Sequence, residues 1–122
     1  PWGNNFDASW CSMQQSHNDS PRPSRVDEFL VDISLYGVQG LGGNIRHWTA
    51  TKWRNSGPKS RRRKFIAEDI SQSEQFQLTI KGGSWNNGED FCRSSSRSPV
   101  NYKITDSQIG FRLVRDLEKP ND

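Results

Sequence analysis

Aromatic side chains, rather than runs of aliphatic residues, have to supply most of the buried area in this chain. Only 30% of its residues are hydrophobic, yet it contains five tryptophans, six phenylalanines and two tyrosines. Such large rings bury much area from few positions, so we expect a small aromatic core surrounded by irregular chain. The length of 122 residues is enough for one domain with one core.

Regular periodicity is confined to two short segments. The sequence FQLTI at 76–80 alternates apolar and polar residues, and IGFRLVR at 109–115 places its alternate apolar residues on one face. Both patterns are typical of half-buried strands, and we predict that the two strands are antiparallel neighbours. Helical periodicity is scarce, with room for at most one short helix within residues 64–76.

Positive charge is concentrated in one segment. Seven basic residues and no acid lie from Lys52 to Lys64, whereas the remaining chain holds ten basic residues against 14 acidic ones. Such a run can contact phosphate or acidic partners, but Gly57 and Pro58 are typical of an exposed loop. Nucleic acid is not expected as a partner, because no aromatic spacing accompanies the charges.

The hydropathy of the chain argues against a membrane partner. No apolar run approaches the ~18 residues that a membrane span requires. We therefore expect a soluble protein. The sequence leaves its compartment open, with the cytoplasm favoured.

Five ordered motifs resemble the C-terminal half of the sulfatase-modifying-factor family, which includes the formylglycine-generating enzyme and many non-catalytic relatives. They are PWGN at 1–4, YGVQGLGGNIRHWTATKW at 36–53, IKGGSW at 80–85, RSSSR at 93–97 and IGFRLV at 109–114. The resemblance implies an α+β fold related to the C-type lectin fold, with little regular secondary structure and long loops. It also implies that residues 1–122 form a single, incomplete domain, whose N-terminal half is supplied by a preceding segment or by a separate chain.

The segment RVDEFLVDISLYGVQGLGGNIRHW at 25–48 is also similar to the variant of this domain found behind bacterial serine/threonine protein kinases. No kinase motif occurs in the chain itself. This narrower similarity implies a sensor or scaffold role in a kinase-linked protein.

In the active enzyme of this family, two cysteines in the loop after GGS hold a copper ion. The corresponding loop here, from Trp85 to Phe91, contains no cysteine, and Cys92 is the only thiol nearby. Thiolates are natural ligands of Cu(I), and the other cysteine, Cys11, lies in a distant segment. The resemblance therefore implies an inactive module with no catalytic residue and no copper. The alternative is a copper-dependent formylglycine-generating oxidase with displaced ligands, and a disulfide between Cys11 and Cys92 stays open.

Calcium, which the family also binds, is not expected either. The resemblance places Gly40 and His47 at side-chain ligand positions, and imidazole nitrogen is a poor substitute for the hard oxygen ligands that calcium prefers. A zinc site built from Cys11, His17, His47 and Cys92 has suitable atoms but no recognisable spacing. We predict no metal, and a packing and hydrogen-bonding role for His47.

Binding residues are expected on loops, because lectin-like domains carry variable binding loops on rigid strands. A mixture of aromatic rings with amide and guanidinium donors suits a protein or another polar ligand. The candidates are Trp85, Asn86, Asn87, Arg97, Asn101 and Tyr102. The structural alternative is that Trp85 is core and the asparagines merely turn the chain.

Two arginines, Arg93 and Arg97, match arginines of the family. We expect Arg93 to brace buried carbonyl or carboxylate groups, whereas Arg97 stays open between bracing and recognition of an anionic ligand.

Overall fold

Short strands joined by long loops make up the computed structural model, which describes residues 2–62, 64–65 and 76–115. The elements in chain order are β1 (Arg46–Lys52), β2 (Ser60–Arg61), β3 (Lys64–Phe65), β4 (Gln77–Lys81), a 3-10 helix (Glu89–Cys92), β5 (Arg97–Asn101) and β6 (Ile109–Gly110). Within the described ranges the 3-10 helix is the only helix, and no helix there is long and apolar enough to cross a membrane. The short helix that the sequence allows within residues 64–76 falls mainly on residues 66–75, which lie outside the described residues.

Four strands form one mixed sheet in the order β5-β4-β1-β6. β4 pairs antiparallel with β1 and with β5, whereas β6 pairs in parallel with β1. β2 and β3 form a separate antiparallel pair within the basic segment. The strand predicted at 76–80 is confirmed as β4.

The second predicted strand is shorter than expected and pairs differently. Of residues 109–115, only Ile109–Gly110 forms a strand, and its partner is β1. The predicted antiparallel pairing with residues 76–80 is wrong, because both edges of β4 are already occupied by β1 and β5. Beyond β6 the chain leaves the sheet, and Leu113 is 91% exposed.

Sulfur-containing side chains, rather than aromatic rings, form the deepest cluster among the described residues. Cys11, Met13 and Cys92 are at most 3% exposed and pack together against partly buried Trp2 and Ala8. All five tryptophans are only partly buried. An indole is rarely covered completely. The expected aromatic core is therefore not the deepest part of the described structure, and among the aromatic residues only Trp2 packs against the sulfur cluster there.

The glycine-rich segment at 40–44 is held by a buried carboxylate. Asp32 is 2% exposed, and its side-chain oxygens accept hydrogen bonds from the main-chain N–H groups of Gly42 at 3.0 Å and of Gly43 at 3.2 Å. A Cβ at Gly42 would collide with the ring of Trp2, and one at Gly43 would collide with the main chain of Ser12. These contacts fix the start of β1 against the core.

Candidate functional site

His47, in β1, is engaged by the guanidinium group of Arg112. Nε of Arg112 donates to Nε2 of His47 at 2.9 Å, and Nη2 of Arg112 donates to the carbonyl oxygen of Gly40 at 2.8 Å. An imidazole nitrogen can accept this hydrogen bond only when the ring is neutral. Burial, and secondarily the charge of Arg112, lowers the pKa of His47 below its ordinary value of 6.5. His47 therefore has the hydrogen-bonding role that the sequence predicts.

The hydrogen bonds of Arg112 also affect whether calcium can bind at this position. The guanidinium of Arg112 bridges the two positions, Gly40 and His47, at which the resemblance places calcium ligands. A fixed positive charge there opposes a second cation. In the described ranges, no group of three or more histidine, cysteine, aspartate or glutamate side chains is arranged to hold a metal ion. The absence of calcium and zinc stays a prediction.

The turn after β4, at residues 84–87, is closed by its own polar side chains. Oδ1 of Asn87 accepts hydrogen bonds from the main-chain N–H of Ser84 at 3.1 Å and from its hydroxyl at 2.9 Å. The Ser84 side chain is fully buried, and its Oγ also lies 2.7 Å from Oε1 of Gln108. Asn87 thus stabilises the turn through its side-chain oxygen.

The neighbouring residues of this turn differ in accessibility. Trp85 is partly buried; its main-chain N–H donates to the carbonyl of Asn44 at 2.8 Å, and its indole Nε1 is buried without an acceptor among the described residues. Asn86 is exposed. The residues from Trp85 to Phe91 supply no thiol, so their donor set does not fit the family's copper ion.

Arg97 braces the segment that follows β1. Its guanidinium donates to the carbonyl oxygens of Arg54 at 2.7 Å and Asn55 at 2.9 Å, and it lies 4.5 Å from the centre of the Trp53 ring. Of the two roles left open for Arg97, bracing is the one its contacts fulfil.

The bracing role expected of Arg93 belongs to another arginine. The side chain of Arg93 is 68% exposed, and its Nε lies 3.4 Å from Oδ1 of Asp90, so the expectation for Arg93 is wrong. Arg46 instead donates to the carbonyl of Gly82 at 3.1 Å and to Oγ of Ser98 at 2.7 Å. Burial lowers the pKa of Arg46. Arg46 lies at the start of β1, just after the glycine-rich segment. That position could have indicated its bracing role from the sequence.

The six candidate residues lie near the two opposite ends of β4. Residues 85–87 follow the end of β4 at which Lys81 pairs with Arg97. Asn101 pairs with Gln77 at the other end of β4, four residues further along each strand. Strand spacing separates the two ends by about 14 Å.

Asn101 and Tyr102 line an open cavity of about 650 Å³ at their end of the sheet. The cavity also contacts Trp53 and Phe76. Tyr102 is 38% exposed and stacks on Phe76, with ring centroids 4.9 Å apart. Of the six candidates, these two border this cavity.

The fold brings together the two cysteines of the chain, Cys11 and Cys92. Both are free thiols, 0% and 3% exposed. The hydrogen bond to Cys92, followed by burial, raises the pKa of Cys11, whereas the same hydrogen bond lowers the pKa of Cys92. Cys92 also lines a cavity of about 260 Å³, together with Trp2 and Arg93.

A serine–histidine contact was not foreseen from the sequence. Nε2 of His17 lies 3.0 Å from Oγ of Ser24, and Nδ1 of His17 lies 3.9 Å from Oε1 of Glu28. The second distance is too long for a hydrogen bond, and Ser24 Oγ donates to Ser12 Oγ at 2.9 Å. Neither the cavity beside Cys92 nor the one beside Tyr102 is lined by these residues, so we interpret the contact as structural.

Comparisons with known proteins agree with this geometry. The family model for the sulfatase-modifying factor enzyme 1-like domain matches residues 1–117 of this chain. The structure of PvdO from Pseudomonas aeruginosa superposes with a TM-score of 0.68 at 22% sequence identity, over 91% of this chain and 42% of the PvdO chain. No curated protein sequence matches the chain significantly.

These matches support the predicted fold class. The chain has an α+β fold of the formylglycine-generating-enzyme and C-type-lectin-like kind, with few helices and long loops. It spans less than half the length of the PvdO chain that it resembles. The chain belongs to the family of sulfatase-modifying factor enzyme 1-like domains.

Proposed function

We propose that this chain is a catalytically silent module of the family that binds a ligand or a protein partner. The observation that carries the proposal is the turn after β4. It contains no thiol, and Ser84 and Asn87 use their polar groups to close the turn. A copper-dependent oxidation has no soft ligand pair to rely on at this position.

The test is a conversion assay on a cysteine-containing sulfatase peptide. The chain is loaded with Cu(I) and incubated with the peptide, while an active formylglycine-generating enzyme serves as the positive control. We expect the peptide thiol to persist in the mass spectrum. Loss of that thiol together with formation of an aldehyde would overturn the proposal.

A second candidate function is a copper-dependent formylglycine-generating oxidase with displaced ligands. One observation favours it: Cys11 and Cys92 lie together, and Cys92 borders a cavity. Two thiols are a suitable donor set for Cu(I), but both are nearly inaccessible to a substrate thiolate. The test combines competition for Cu(I) against a chelator with the peptide conversion assay. Tight Cu(I) binding that Cys92→Ser abolishes, together with aldehyde formation, would establish this candidate. Tight Cu(I) binding without aldehyde formation would not establish it.

The proposed partner of the module is the N-terminal half of the same kind of domain, on this chain or on a separate one. The face of this chain on which that partner would dock contains Leu35, Tyr36 and Leu113, which are 97%, 93% and 91% exposed. Arg112 joins the two segments of this face through its hydrogen bond to Gly40. Large exposed apolar surfaces are typical of interaction sites.

Dye binding tests this partner. The chain is expected to bind a hydrophobic fluorescent dye, and Leu35→Lys with Leu113→Lys should reduce the signal. A polypeptide supplying the N-terminal half should displace the dye from the unmodified chain. A signal that responds to neither change would contradict the proposed face.

A regulatory place in a bacterial kinase-linked protein is the more specific form of this proposal. The similarity of residues 25–48 to the kinase-associated variant supports it. Sequencing the reading frame around this segment is the direct test. A kinase domain in the same frame is expected, and a frame without one contradicts the link.

A further inference from the structure

The cavity beside Tyr102 combines aromatic rings with positive charge. Three aromatic residues, Trp53, Phe76 and Tyr102, come from separate parts of the chain and meet at this end of the sheet. The rings of Phe76 and Tyr102 are nearly parallel, with an interplanar angle of 14°. The main-chain N–H of Trp53 donates to the carbonyl of Gln77 at 2.7 Å, which continues the β1–β4 pairing and keeps Trp53 in the cavity lining.

Cations border the same rings. Nζ of Lys52 lies 5.4 Å from the centre of the Phe76 ring, and Nζ of Lys103 lies 5.5 Å from the centre of the Tyr102 ring. Arg54 is a third basic residue of the lining. Among the lining residues that the structure describes, none carries a carboxylate. A ligand that enters this cavity therefore meets ring faces and positive charge together.

The remaining lining residues are amides. Gln77 and Asn101 are both exposed and face each other across the β4–β5 pair. Oδ1 of Asn101 accepts a hydrogen bond from the main-chain N–H of Lys103 at 2.9 Å, so the turn that carries Lys103 is fixed. Amide groups of this kind can read the polar edge of a planar ring, whereas the lysines neutralise an attached anion.

We infer that this cavity binds a nucleoside phosphate, with the base against the aromatic rings and the phosphate between Lys52 and Lys103. The cavity volume of about 650 Å³ lies in the usual range of small-ligand sites. Stacking on aromatic side chains tolerates any base, and lysine ammonium groups supply the phosphate contact. Sequence patterns alone do not predict such a ligand, because Phe76, the aromatic partner of Lys52, lies outside the basic segment.

This inference rests on the proposed binding role of Asn101 and Tyr102 and names the ligand class for it. The nucleoside phosphate can be free or can be one unit of a single strand, since both offer the same base and phosphate. The two sources are separated by comparing adenosine monophosphate with a single-stranded oligonucleotide of ten residues.

The experiment is a calorimetric titration of the 122-residue chain. Adenosine monophosphate should bind, whereas adenosine and ribose 5-phosphate should each bind about tenfold more weakly or not at all. We expect Tyr102→Leu and Lys52→Gln each to weaken binding about fivefold or more, the scale of one lost stacking or phosphate contact. Arg93→Gln removes an exposed charge elsewhere and should leave the affinity unchanged. Thermal unfolding of each variant shows whether it is folded.

Three results would overturn the inference. They are the absence of binding for both adenosine monophosphate and the oligonucleotide, an affinity that folded Tyr102→Leu retains, and duplex DNA binding as tightly as the single strand. An oligonucleotide that binds more tightly than the monophosphate identifies a strand as the source, and equal or weaker binding identifies the free nucleotide. If no nucleotide probe binds and the sulfatase peptide is not oxidised, this ligand class is excluded, but the proposal of a catalytically silent module is unaffected. Peptide oxidation, in contrast, refutes the silent module whatever the titration gives.

Discussion

Nε of Arg112 donates a hydrogen bond to Nε2 of His47 at 2.9 Å, which ties the segment after β6 to β1 through a neutral imidazole. Burial and the adjacent guanidinium both lower the pKa of His47 in the folded chain. In the unfolded chain this pKa returns to about 6.5. The unfolded state therefore binds the proton more readily, so the stability linked to His47 is present above pH 6.5 and is lost as the pH falls through the folded-state pKa.

The first prediction concerns this pH dependence. Between about pH 6.5 and pH 5, the unfolding temperature of the parent chain should fall more steeply than that of His47→Gln. Glutamine can accept the hydrogen bond from Arg112 but does not titrate. Differential scanning fluorimetry across this pH range measures both slopes. Equal slopes would show that His47 has the same pKa in both states.

The second prediction concerns calcium. Adding calcium should leave the unfolding temperature unchanged, because only an ion that binds the folded state stabilises it and Arg112 already bridges Gly40 and His47. Magnesium and a chelator provide the controls. A rise in unfolding temperature that is specific to calcium would mean that other oxygen atoms complete a site.

The third prediction concerns the buried carboxylate of Asp32. Asp32→Ala should leave the main-chain N–H groups of Gly42 and Gly43 without an acceptor, at a cost of about 1–3 kcal/mol each. Asp32→Asn keeps one side-chain oxygen and should lose less stability. Urea unfolding followed by tryptophan fluorescence gives both free energies. Equal losses for the two variants would mean that the side-chain oxygens do not hold the loop.

The fourth prediction separates two adjacent asparagines. Asn87→Ala removes the acceptor for Ser84 and should cost about 1–3 kcal/mol, whereas exposed Asn86→Ala should stay within about 0.5 kcal/mol of the parent. The same urea titration measures both changes. If the two variants are equally stable, the side chain of Asn87 does not close the turn.

The fifth prediction concerns the two thiols. Mild oxidation should join Cys11 to Cys92, because the two thiols pack together in one buried cluster. The bridge would close a long loop and, on the chain-entropy estimate, add about 4 kcal/mol of stability. Thiol alkylation under denaturing conditions counts the remaining thiols, with Cys11→Ser as the control. Two alkylated thiols after oxidation would contradict the prediction.

Local patterns were sufficient for some of these features. The alternation at 76–80 identified β4, and the replacement of a ligand by His47 identified a hydrogen-bonding histidine. The ordered motifs indicated the fold family because each of them is one continuous segment of the sequence. Each of these signals is local in the sequence.

Features that depend on distant segments were not predictable in this way. Neither the contact between Cys11 and Cys92 nor the parallel pairing of β6 with β1 leaves any trace in local periodicity. The candidate surface was assembled from loop chemistry alone, so Asn87 was included although its side chain closes a turn. Lys52, by contrast, was identified as basic, but nothing in its neighbourhood indicated that an aromatic residue at position 76 would lie beside it.

The parallel pairing of β6 with β1 has a consequence for synthesis. Arg46 cannot find its strand partner until Ile109 has been made, and the Cys11 cluster likewise waits for Cys92. Contacts between such distant positions form slowly, because closing the long loop between them costs entropy before the contact contributes any stabilisation. Until residues 109–110 have been made, one edge of β1 has no strand partner, and an unpaired strand edge favours aggregation of the nascent chain.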